Sequence, residues 1–222
     1  MKRWEKLASA TVVGGEEEMI LMRRDTEYSI RIGYTELMNS RVHHSEDTLA
    51  TAAIENQPQD NLPVLVGGLG MGYTLRAALD SLGEKAKVTV AELVPAVVQW
   101  HKEYLGHLAD NPLEDSRVTL YKGDVRKALK PNYYGSILYD VDNGPEGLTR
   151  QENSSLYGYR GVEKVYNSLV DGGIFAVWST GRNEVFTERL EKAGFIVDLI
   201  KTRERAGKGS IHFVWVAIKP SR

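Results

Sequence analysis

The 222-residue sequence contains no cysteine, which excludes disulfide bonds, thiolate metal sites and cysteine nucleophiles. It also has no apolar run of the length that a membrane-spanning helix needs. The first 13 residues superficially imitate a signal peptide, but their apolar part is short, is interrupted by Ser9 and Thr11, and is followed by three glutamates. We therefore expect a cytoplasmic protein without a membrane partner.

An excess of positive charge is missing as well. With 28 Lys and Arg residues against 30 Asp and Glu, the formal net charge is −2, so nucleic acid is not favoured as a partner. The 42% hydrophobic and 26% charged residues are typical of a globular chain that is neither disordered nor membrane-embedded. A chain of this length can form one well-buried α/β domain and a small additional unit.

The segment Leu62–Leu79, LPVLVGGLGMGYTLRAAL, is the most informative part of the chain. An apolar run leads into a glycine-rich turn and then into a helical pattern; the glycines are Gly67, Gly68, Gly70 and Gly72. This order predicts a buried parallel strand, a tight turn and a helix. Glycines let the backbone approach a ligand closely, and the helix start offers free N–H groups at the positive end of its dipole.

An acidic residue follows at the spacing that is typical of nucleoside binding. The β-prone run Val88–Ala91 ends in Glu92, twenty residues after Gly72. In doubly wound folds an acid at this distance hydrogen-bonds the ribose hydroxyls. The glycine turn and the spaced acid together predict a nucleoside site. The alternatives are a purely structural turn and a solvated acid at the end of a strand.

The first part of the chain has a different pattern, with short β-prone segments near residues 10–13, 19–22 and 28–32. They predict a small antiparallel sheet of two or three strands. Ser45 and the acids after it predict a helix that runs to about Glu55 with Ser45 as its N-cap. We divide the chain into an N-terminal β-sheet domain (1–43), a connecting helix and linker (44–61), and a Rossmann-like nucleoside-binding domain (62–222).

From Leu62 onward, strand-like and helix-like segments alternate, as in a parallel sheet with helices on both faces. Further strands are predicted at 88–91, 118–121, 136–139 and 173–179, and helices at 73–82, 95–108, 124–129, 159–169 and 184–193. The last two predicted strands, 195–201 and 211–218, are joined only by the polar loop 202–210, so we expect them to be antiparallel. The expected fold class is α/β, with seven mostly parallel strands.

Seven strands that end in an antiparallel pair resemble the class I S-adenosylmethionine-dependent methyltransferase fold. Within that superfamily the chain resembles the spermidine synthase, or polyamine aminopropyltransferase, family. The residues that carry the resemblance are GGLGMG with Thr74-Leu75-Arg76 after it, Ala91-Glu92-Leu93-Val94-Pro95, Gly123-Asp124, Tyr139-Asp140 and Gly144-Pro145, and the preceding LMNSRVHHSED.

The resemblance implies a transferase of polyamine biosynthesis that moves an aminopropyl group to a small-molecule amine, without a metal. Its co-substrate would be S-adenosylmethionine or the decarboxylated form. The residues implied to bind the nucleoside are Gly67, Gly68, Gly70, Gly72, Glu92 and Asp124. Asp124 would accept a hydrogen bond from the adenine amino group; it is also a good N-cap for the helix that follows it.

Two aspartates, Asp140 and Asp142, follow the predicted strand 136–139. Ligands of open α/β sheets bind beyond the carboxyl ends of strands, so both acids are candidates for catalysis. An alkylammonium has a pKa near that of lysine, roughly 10.4, so an amine nucleophile needs a carboxylate that orients it and helps to remove its proton. Asp140 matches the acid with this role in spermidine synthases. The alternative for both is an Asx-type turn.

Aromatic side chains could line the substrate pocket, because their faces cover the methylenes of an amine and attract its charge. The candidates are Tyr157, Tyr159 and Trp178, with an ordinary core position as the alternative. His44 is a fourth candidate because it lies beside the N-terminal sheet. A metal site is conceivable from the residue types of His43, His44 and Glu46. Adjacent histidines on an extended segment point in opposite directions, however, so we expect no metal.

Two further expectations concern surfaces. The small N-terminal sheet has edges that need covering, which predicts a homodimer through this sheet. Arg203, Arg205 and Lys208 predict a solvated basic turn between the last two strands. The alternative for this turn is guidance of an anionic partner.

Three departures from the spermidine synthase pattern leave the activity open. No acid lies within residues 64–79, where that family has an aspartate for the aminopropyl arm. Asp142 lies two residues after Asp140 instead of three, and Trp178 and Ser179 stand where that family has a glutamine. The alternatives are a methyltransferase that uses intact S-adenosylmethionine and a nucleoside-binding relative without catalysis.

Overall fold

The computed structural model describes residues 2–11, 17–141, 144–146, 155–205 and 208–221. These residues form a four-stranded and a seven-stranded sheet, with helices packed around the larger one. Asp142, the second predicted catalytic acid, lies outside the described residues. Within the described residues, no helix combines the length and the apolar character that crossing a membrane would require.

The N-terminal sheet has four antiparallel strands, β1 (Glu5–Thr11), β2 (Glu18–Arg24), β3 (Glu27–Ile32) and β4 (Thr35–Asn39), paired in that order. The prediction of two or three strands is therefore wrong. β4 has no apolar run, and its side chains are exposed or half-buried, so its sequence carries no strand signal. Gly33, at φ +56°, closes the turn that returns the chain beside β3. β1 also starts earlier than predicted; residues 12 and 13 lie outside the described part.

The larger sheet has the strand order β10-β11-β9-β8-β5-β6-β7. Its strands are β5 (Val64–Gly67), β6 (Val88–Glu92), β7 (Val118–Lys122), β8 (Tyr134–Tyr139), β9 (Leu169–Ser179), β10 (Ile196–Arg205) and β11 (Lys208–Ile218). The four pairings among β5 to β9 are parallel, whereas β11 runs antiparallel to both β9 and β10. The predicted fold class is confirmed. Because β5 lies between β6 and β8, the strand order reverses beside β5, where open α/β sheets bind ligands.

Helices cover both faces of this sheet, and a buried apolar cluster lies on each face. The described helices are α1 (His44–Ile54), α2 (Tyr73–Asp80), α3 (Pro95–Trp100), α4 (Val125–Ala128), α5 (Tyr159–Ser168) and α6 (Glu184–Lys192). The predicted helix 95–108 is wrong as a single helix, because α3 continues as a π-helical turn, His101–Leu105, and a 3₁₀ turn, Gly106–Ala109. At the change to the 3₁₀ turn, the carbonyl oxygen of Gly106 accepts from the Asn111 N–H at 2.8 Å, and a Cβ on Gly106 would lie 2.7 Å from Asn111 Oδ1.

The N-terminal sheet is fixed to the larger sheet by one apolar face. Apolar residues of β2 and β3 are buried and share a cluster with residues of the glycine turn, α3 and the π-helical turn: Met19, Leu21, Tyr28 and Ile30 with Met71, Val97, Trp100 and Leu105. Burying each side chain of this size stabilises the arrangement by about 1.5–3 kcal/mol. The small sheet is thereby held beside the carboxyl ends of the parallel strands.

The start of α1 differs from the prediction. His43 occupies the N-cap position without a side-chain cap, and Ser45 lies inside the helix, so the predicted Ser45 cap is wrong. The hydroxyl of Ser45 donates instead to the Glu46 carboxylate at 2.6 Å. The buried face of α1, which includes Leu49 and Ala53, joins the apolar cluster on one face of the larger sheet.

The predicted polar loop 202–210 is also wrong, because β10 and β11 extend through most of it. Thr202 pairs with His212, and Arg205 pairs with Lys208. Polar side chains do not prevent this pairing, since the ladder is made by backbone groups and one side of the hairpin faces solvent. The longer hairpin carries His212 and Glu204 to the carboxyl-end side of the sheet.

Candidate functional site

A cavity of about 690 Å³ lies between the N-terminal sheet and the carboxyl ends of the parallel strands. The described residues that line it come from β4, α1, the glycine turn, the ends of β6 to β9 and the β10–β11 hairpin. Those used below are Met38, Ser45, Glu46, Gly68, Gly70, Gly72, Tyr73, Glu92, Asp124, Arg126, Asp140, Trp178, Glu204 and His212. Residues that are far apart in the sequence therefore share one wall.

The glycine turn has the conformation that its sequence predicts. Gly68, Gly70 and Gly72 have φ angles of +93°, +48° and +90°, and Gly72 is the N-cap of α2. A Cβ on Gly68 would lie 2.1 Å from the carbonyl oxygen of Asp140, so no other residue fits there without a backbone shift. Gly67 ends β5 and packs against a side chain of α4. The glycine turn therefore exposes backbone without side chains to the cavity.

Glu92 reaches back to this turn. Its Oε2 accepts from the Leu69 N–H at 2.9 Å and its Oε1 accepts from the Val94 N–H at 2.8 Å. Burial raises the pKa of Glu92, and these backbone hydrogen bonds oppose that shift. The N–H groups of Gly70 and Leu93 also act on this carboxylate and lower its pKa. Glu92 therefore holds the backbone of the glycine turn and lies in the cavity wall.

Asp124 follows β7 and is the N-cap of α4, where it accepts from the Arg126 N–H at 2.8 Å. The Arg126 guanidinium also binds this carboxylate, with Nε 2.8 Å from Oδ2. Burial alone would raise the pKa of Asp124, but the Arg126 side chain and N–H hold it below its usual value. Asp124 thus caps α4, as the structural alternative for this residue predicted. Sequence reasoning missed Arg126, since an ion pair two residues apart leaves no pattern.

Asp140 follows β8 directly. Its N–H donates to the Gly67 carbonyl at 2.9 Å, and its Oδ2 accepts from the Thr74 hydroxyl at 2.6 Å. Burial raises the pKa of Asp140, against the lowering effect of the Thr74 hydrogen bond. The strand end and the start of α2 therefore hold this carboxylate at the glycine turn.

Glu46 is a site residue that sequence reasoning considered only for a metal. It lines the cavity from the first turn of α1. Burial, and then the negative charge of Asp140, raise the pKa of Glu46 to about 7. The like charge of a second carboxylate disfavours ionisation of the first, which is why Asp140 adds to the effect of burial on Glu46. The signal available in the sequence was an acid in LMNSRVHHSED, the segment that carries the family resemblance.

The neighbouring histidines do not form the wall with Glu46. His43 stacks on the ring of Tyr73 with centroids 4.5 Å apart, and its Nδ1 lies 3.0 Å from Asp47. His44 is exposed and is not among the described residues that line the cavity. Within the described ranges, no group of three or more His, Asp or Glu side chains could hold a metal ion.

The other end of the cavity is aromatic. Trp178 lines it and lies beside His212, with ring centroids 4.8 Å apart. No described group hydrogen-bonds the buried Nε1 of Trp178. Tyr157 is 2% exposed and packs edge-on against Tyr139 and Phe186, which is the core position considered as its alternative. Tyr159 is 57% exposed and does not line the cavity. Of the four predicted pocket residues, the structure places only Trp178 in the wall.

Comparison with known proteins identifies the fold. A spermidine synthase in complex with the transition-state analogue AdoDATO matches 98% of this chain and 73% of its own, with a TM-score of 0.76 and 17% identity. The spermidine synthase from Thermotoga maritima gives 0.75 at 16% identity over the same shares. A predicted O-methyltransferase from Agrobacterium tumefaciens gives 0.54 at 20% identity over 79% of this chain and 81% of its own. No family model and no curated protein sequence matches. The spermidine synthase-like architecture on a methyltransferase-like fold is thereby confirmed.

Proposed function

We propose that this protein is a transferase that binds an S-adenosylmethionine-type nucleoside and transfers an alkyl group, of the aminopropyl type, to a small-molecule amine. The observation that carries this proposal is the pair of carboxylates, Asp140 and Glu46, in the cavity beside the glycine turn. A cavity of about 690 Å³ is within the range that holds a ligand of nucleoside size with a small second substrate.

The nucleoside half of the proposal rests on three groups. The glycine turn leaves room for a sulfonium nucleoside at backbone distance, and α2 begins there with free N–H groups. Glu92, in the cavity wall, would accept the ribose hydroxyls beside its backbone donors. Asp124, also in the wall, would accept from the adenine amino group while it stays bound to Arg126, which contacts both of its oxygens.

The chemical half rests on the acid pair. The nucleoside supplies a carbon activated by its positive sulfur; the amine nitrogen forms a bond to this carbon while the carbon–sulfur bond breaks and its electron pair stays on sulfur. Asp140, held by Thr74, would orient the amine and help to take its proton. Alignment of two bound reactants supplies most of the acceleration in such a displacement. Trp178 would cover the methylenes of the amine.

A methyltransferase that uses intact S-adenosylmethionine is the second candidate, and one contact favours it. A Cβ on Gly70 would lie 3.2 Å from the Met38 thioether, so an apolar group faces this part of the turn. No carboxylate of the turn itself is present there to hold the ammonium of an aminopropyl arm or to repel an α-carboxylate. The glycine turn therefore has no negative charge that would repel the α-carboxylate of intact S-adenosylmethionine.

Titration calorimetry with S-adenosylmethionine, its decarboxylated form and methylthioadenosine tests the proposal. We expect preference for the decarboxylated form, and release of methylthioadenosine when an amine is added. Glu92→Ala should weaken binding at least about tenfold through the loss of a charge-assisted pair of hydrogen bonds. The exposed Glu163→Gln is the matched control. Preference for the intact form would establish the methyltransferase, and absence of binding to all three would refute the nucleoside site.

A further inference from the structure

We propose that Ser45 and His212 form a proton relay that carries the proton of the amine nucleophile from Glu46 out of the cavity. The relay rests on the proposed function, because it needs an amine that loses a proton at the carboxylate pair. It gives the β10–β11 hairpin a role as a positioning element for proton release, which no sequence motif indicates.

The geometry joins three side chains from two distant parts of the chain. The Ser45 hydroxyl lies 2.6 Å from Oε2 of Glu46, and Nδ1 of His212 lies 3.2 Å from the same hydroxyl oxygen. All three residues line the cavity. Ser45 is 2% exposed, so water has little access to the middle of this chain of hydrogen bonds.

The single proton of a hydroxyl determines the direction of both bonds. When Glu46 is ionised, Ser45 donates to it, so Nδ1 of His212 must donate to Ser45. The neutral imidazole then has its proton on Nδ1 and a lone pair on Nε2. When Glu46 is protonated, both bonds can reverse, with Glu46 donating to Ser45 and Ser45 donating to Nδ1.

This reversal moves a proton in balanced steps. The amine gives its proton to the carboxylate pair, and Glu46 holds it. The transfer starts from the second arrangement, in which Glu46 is protonated, Ser45 donates to Nδ1 and the neutral His212 ring has its proton on Nε2. The Glu46 proton moves to the oxygen of Ser45 while the Ser45 hydroxyl proton moves to Nδ1, so the ring is protonated on both nitrogens. Loss of the Nε2 proton to water leaves Glu46 ionised and the neutral ring with its proton on Nδ1. Exchange with water, in which Nε2 takes up one proton and Nδ1 loses one, resets the ring, and the Ser45 hydroxyl turns back to Nδ1. Over the cycle one proton passes from the amine to water.

The surroundings make Glu46 a proton acceptor and His212 a proton donor. Burial, and then the negative charges of Asp140 and Asp47, raise the pKa of Glu46 to about 7, so its carboxylate takes up a proton near neutral pH. At the other end, burial lowers the pKa of His212, while the nearby Glu204 opposes that shift. An imidazolium formed there gives up its proton readily near neutral pH.

Packing holds the imidazole in this orientation. The ring of His212 lies against Trp178, and its neighbour Val214 pairs with Trp178 across the β11–β9 ladder. On β10, Thr202 opposes His212 and its hydroxyl lies 3.1 Å from that of Thr48 on α1. The hairpin is thus attached to α1 at the level of Ser45, which keeps the distance from Nδ1 to the hydroxyl constant.

Nitrogen NMR of histidine-labelled protein tests the hydrogen-bond direction without turnover. At pH 8 we expect the His212 ring to be neutral with its proton on Nδ1. As the pH falls to about 7 and Glu46 takes up a proton, the nitrogen chemical shifts of His212 should change. Ser45→Ala should abolish this change near pH 7, and loss of the signal in His212→Gln assigns it to His212. A neutral His212 with its proton on Nε2 at pH 8, or shifts that ignore Ser45→Ala, would overturn the relay.

Kinetics test the role in turnover. For His212→Ala we expect the kcat to fall about tenfold to a hundredfold, at or below the range of general acid–base groups, with nucleoside Kd within about twofold of wild type. Added imidazole should restore much of the kcat, and exposed His107→Ala is the control. A loss that imidazole does not restore would refute the relay. Wild-type protein that binds no nucleoside would refute the proposed function, whereas the NMR result would still decide the hydrogen-bond chain.

Discussion

Thr74 donates its hydroxyl to Oδ2 of Asp140 over 2.6 Å, which joins the first turn of α2 to the carboxyl end of β8. The two residues are 66 positions apart in the sequence. Thr74 is 3% exposed, so its hydroxyl has no alternative partner in bulk water. The glycine turn between β5 and α2 therefore positions a catalytic candidate as well as a ligand-binding backbone.

Thr74→Val tests this contact. Valine has the shape of threonine but no hydroxyl, so Asp140 loses a partner that lowers its pKa, and the pKa should rise further. We expect the pH profile of kcat to move to higher pH and the free energy of unfolding to fall by about 1–3 kcal/mol. Thr74→Ser keeps the hydroxyl and is the control. An unchanged profile in the valine variant would show that Thr74 does not act on Asp140.

Glu46→Gln should change the pH dependence of stability. The folded-state pKa of Glu46 is about 7, above the unfolded value of roughly 4.3. Its contribution is therefore fully present below about pH 4.3 and is lost as the pH rises through 7. Relative to wild type, the variant should gain about 2–3 kcal/mol in free energy of unfolding between pH 5 and pH 8. Urea titrations measure this, with Glu163→Gln as the control; parallel curves for Glu46→Gln and wild type would contradict the paired carboxylates.

Gly68→Ala should be strongly destabilising. Its φ of +93° suits glycine, and the added Cβ would lie 2.1 Å from the Asp140 carbonyl oxygen. We expect a loss of roughly 2–4 kcal/mol in denaturant unfolding. Gly83→Ala is the matched control, because no atom lies within 4 Å of its Cβ position. Equal stabilities of the two variants would mean that the turn adjusts without cost.

Asp124→Ser separates capping from ligand binding. Serine is also a good N-cap, so the free energy of unfolding should change by less than about 1 kcal/mol. Its hydroxyl is too short to replace a carboxylate towards an adenine amino group, and we expect the nucleoside Kd to rise about tenfold. Calorimetry measures the Kd. If the affinity is unchanged, Asp124 acts only as the cap of α4 and the partner of Arg126.

The homodimer through the N-terminal sheet stays a prediction, and light scattering after gel filtration measures it. We expect twice the mass of the chain at micromolar concentration, because β1 and β4 leave unpaired backbone at the two edges of that sheet. A lysine in the middle of β1 should weaken the dimer, whereas a lysine on the exposed face of α6 should not. A monomer at every concentration would exclude the arrangement.

Local patterns were enough to predict the succession of strands and helices along the larger sheet, the glycine turn and the position of Glu92 at the end of a strand. Each of these depends on neighbours in the sequence, through the period of buried side chains and the positive φ angles that the glycines allow. Local patterns failed for β4, whose polar sequence forms a strand because β3 offers it a backbone ladder. They failed again for 202–210, for the same reason.

The sequence by itself determined which backbone could form a nucleoside turn and which strand ends carry acids. The tertiary structure alone decided which of these groups come together: Glu46 and Asp140 line one cavity, and Ser45 lies within 3.2 Å of His212, which is 167 positions away. Such contacts depend on how the N-terminal sheet and the hairpin pack over the strand ends, which is set by buried apolar surface summed over many residues. No short sequence pattern contains that sum, so the sequence alone does not predict which of these residues come together in the site.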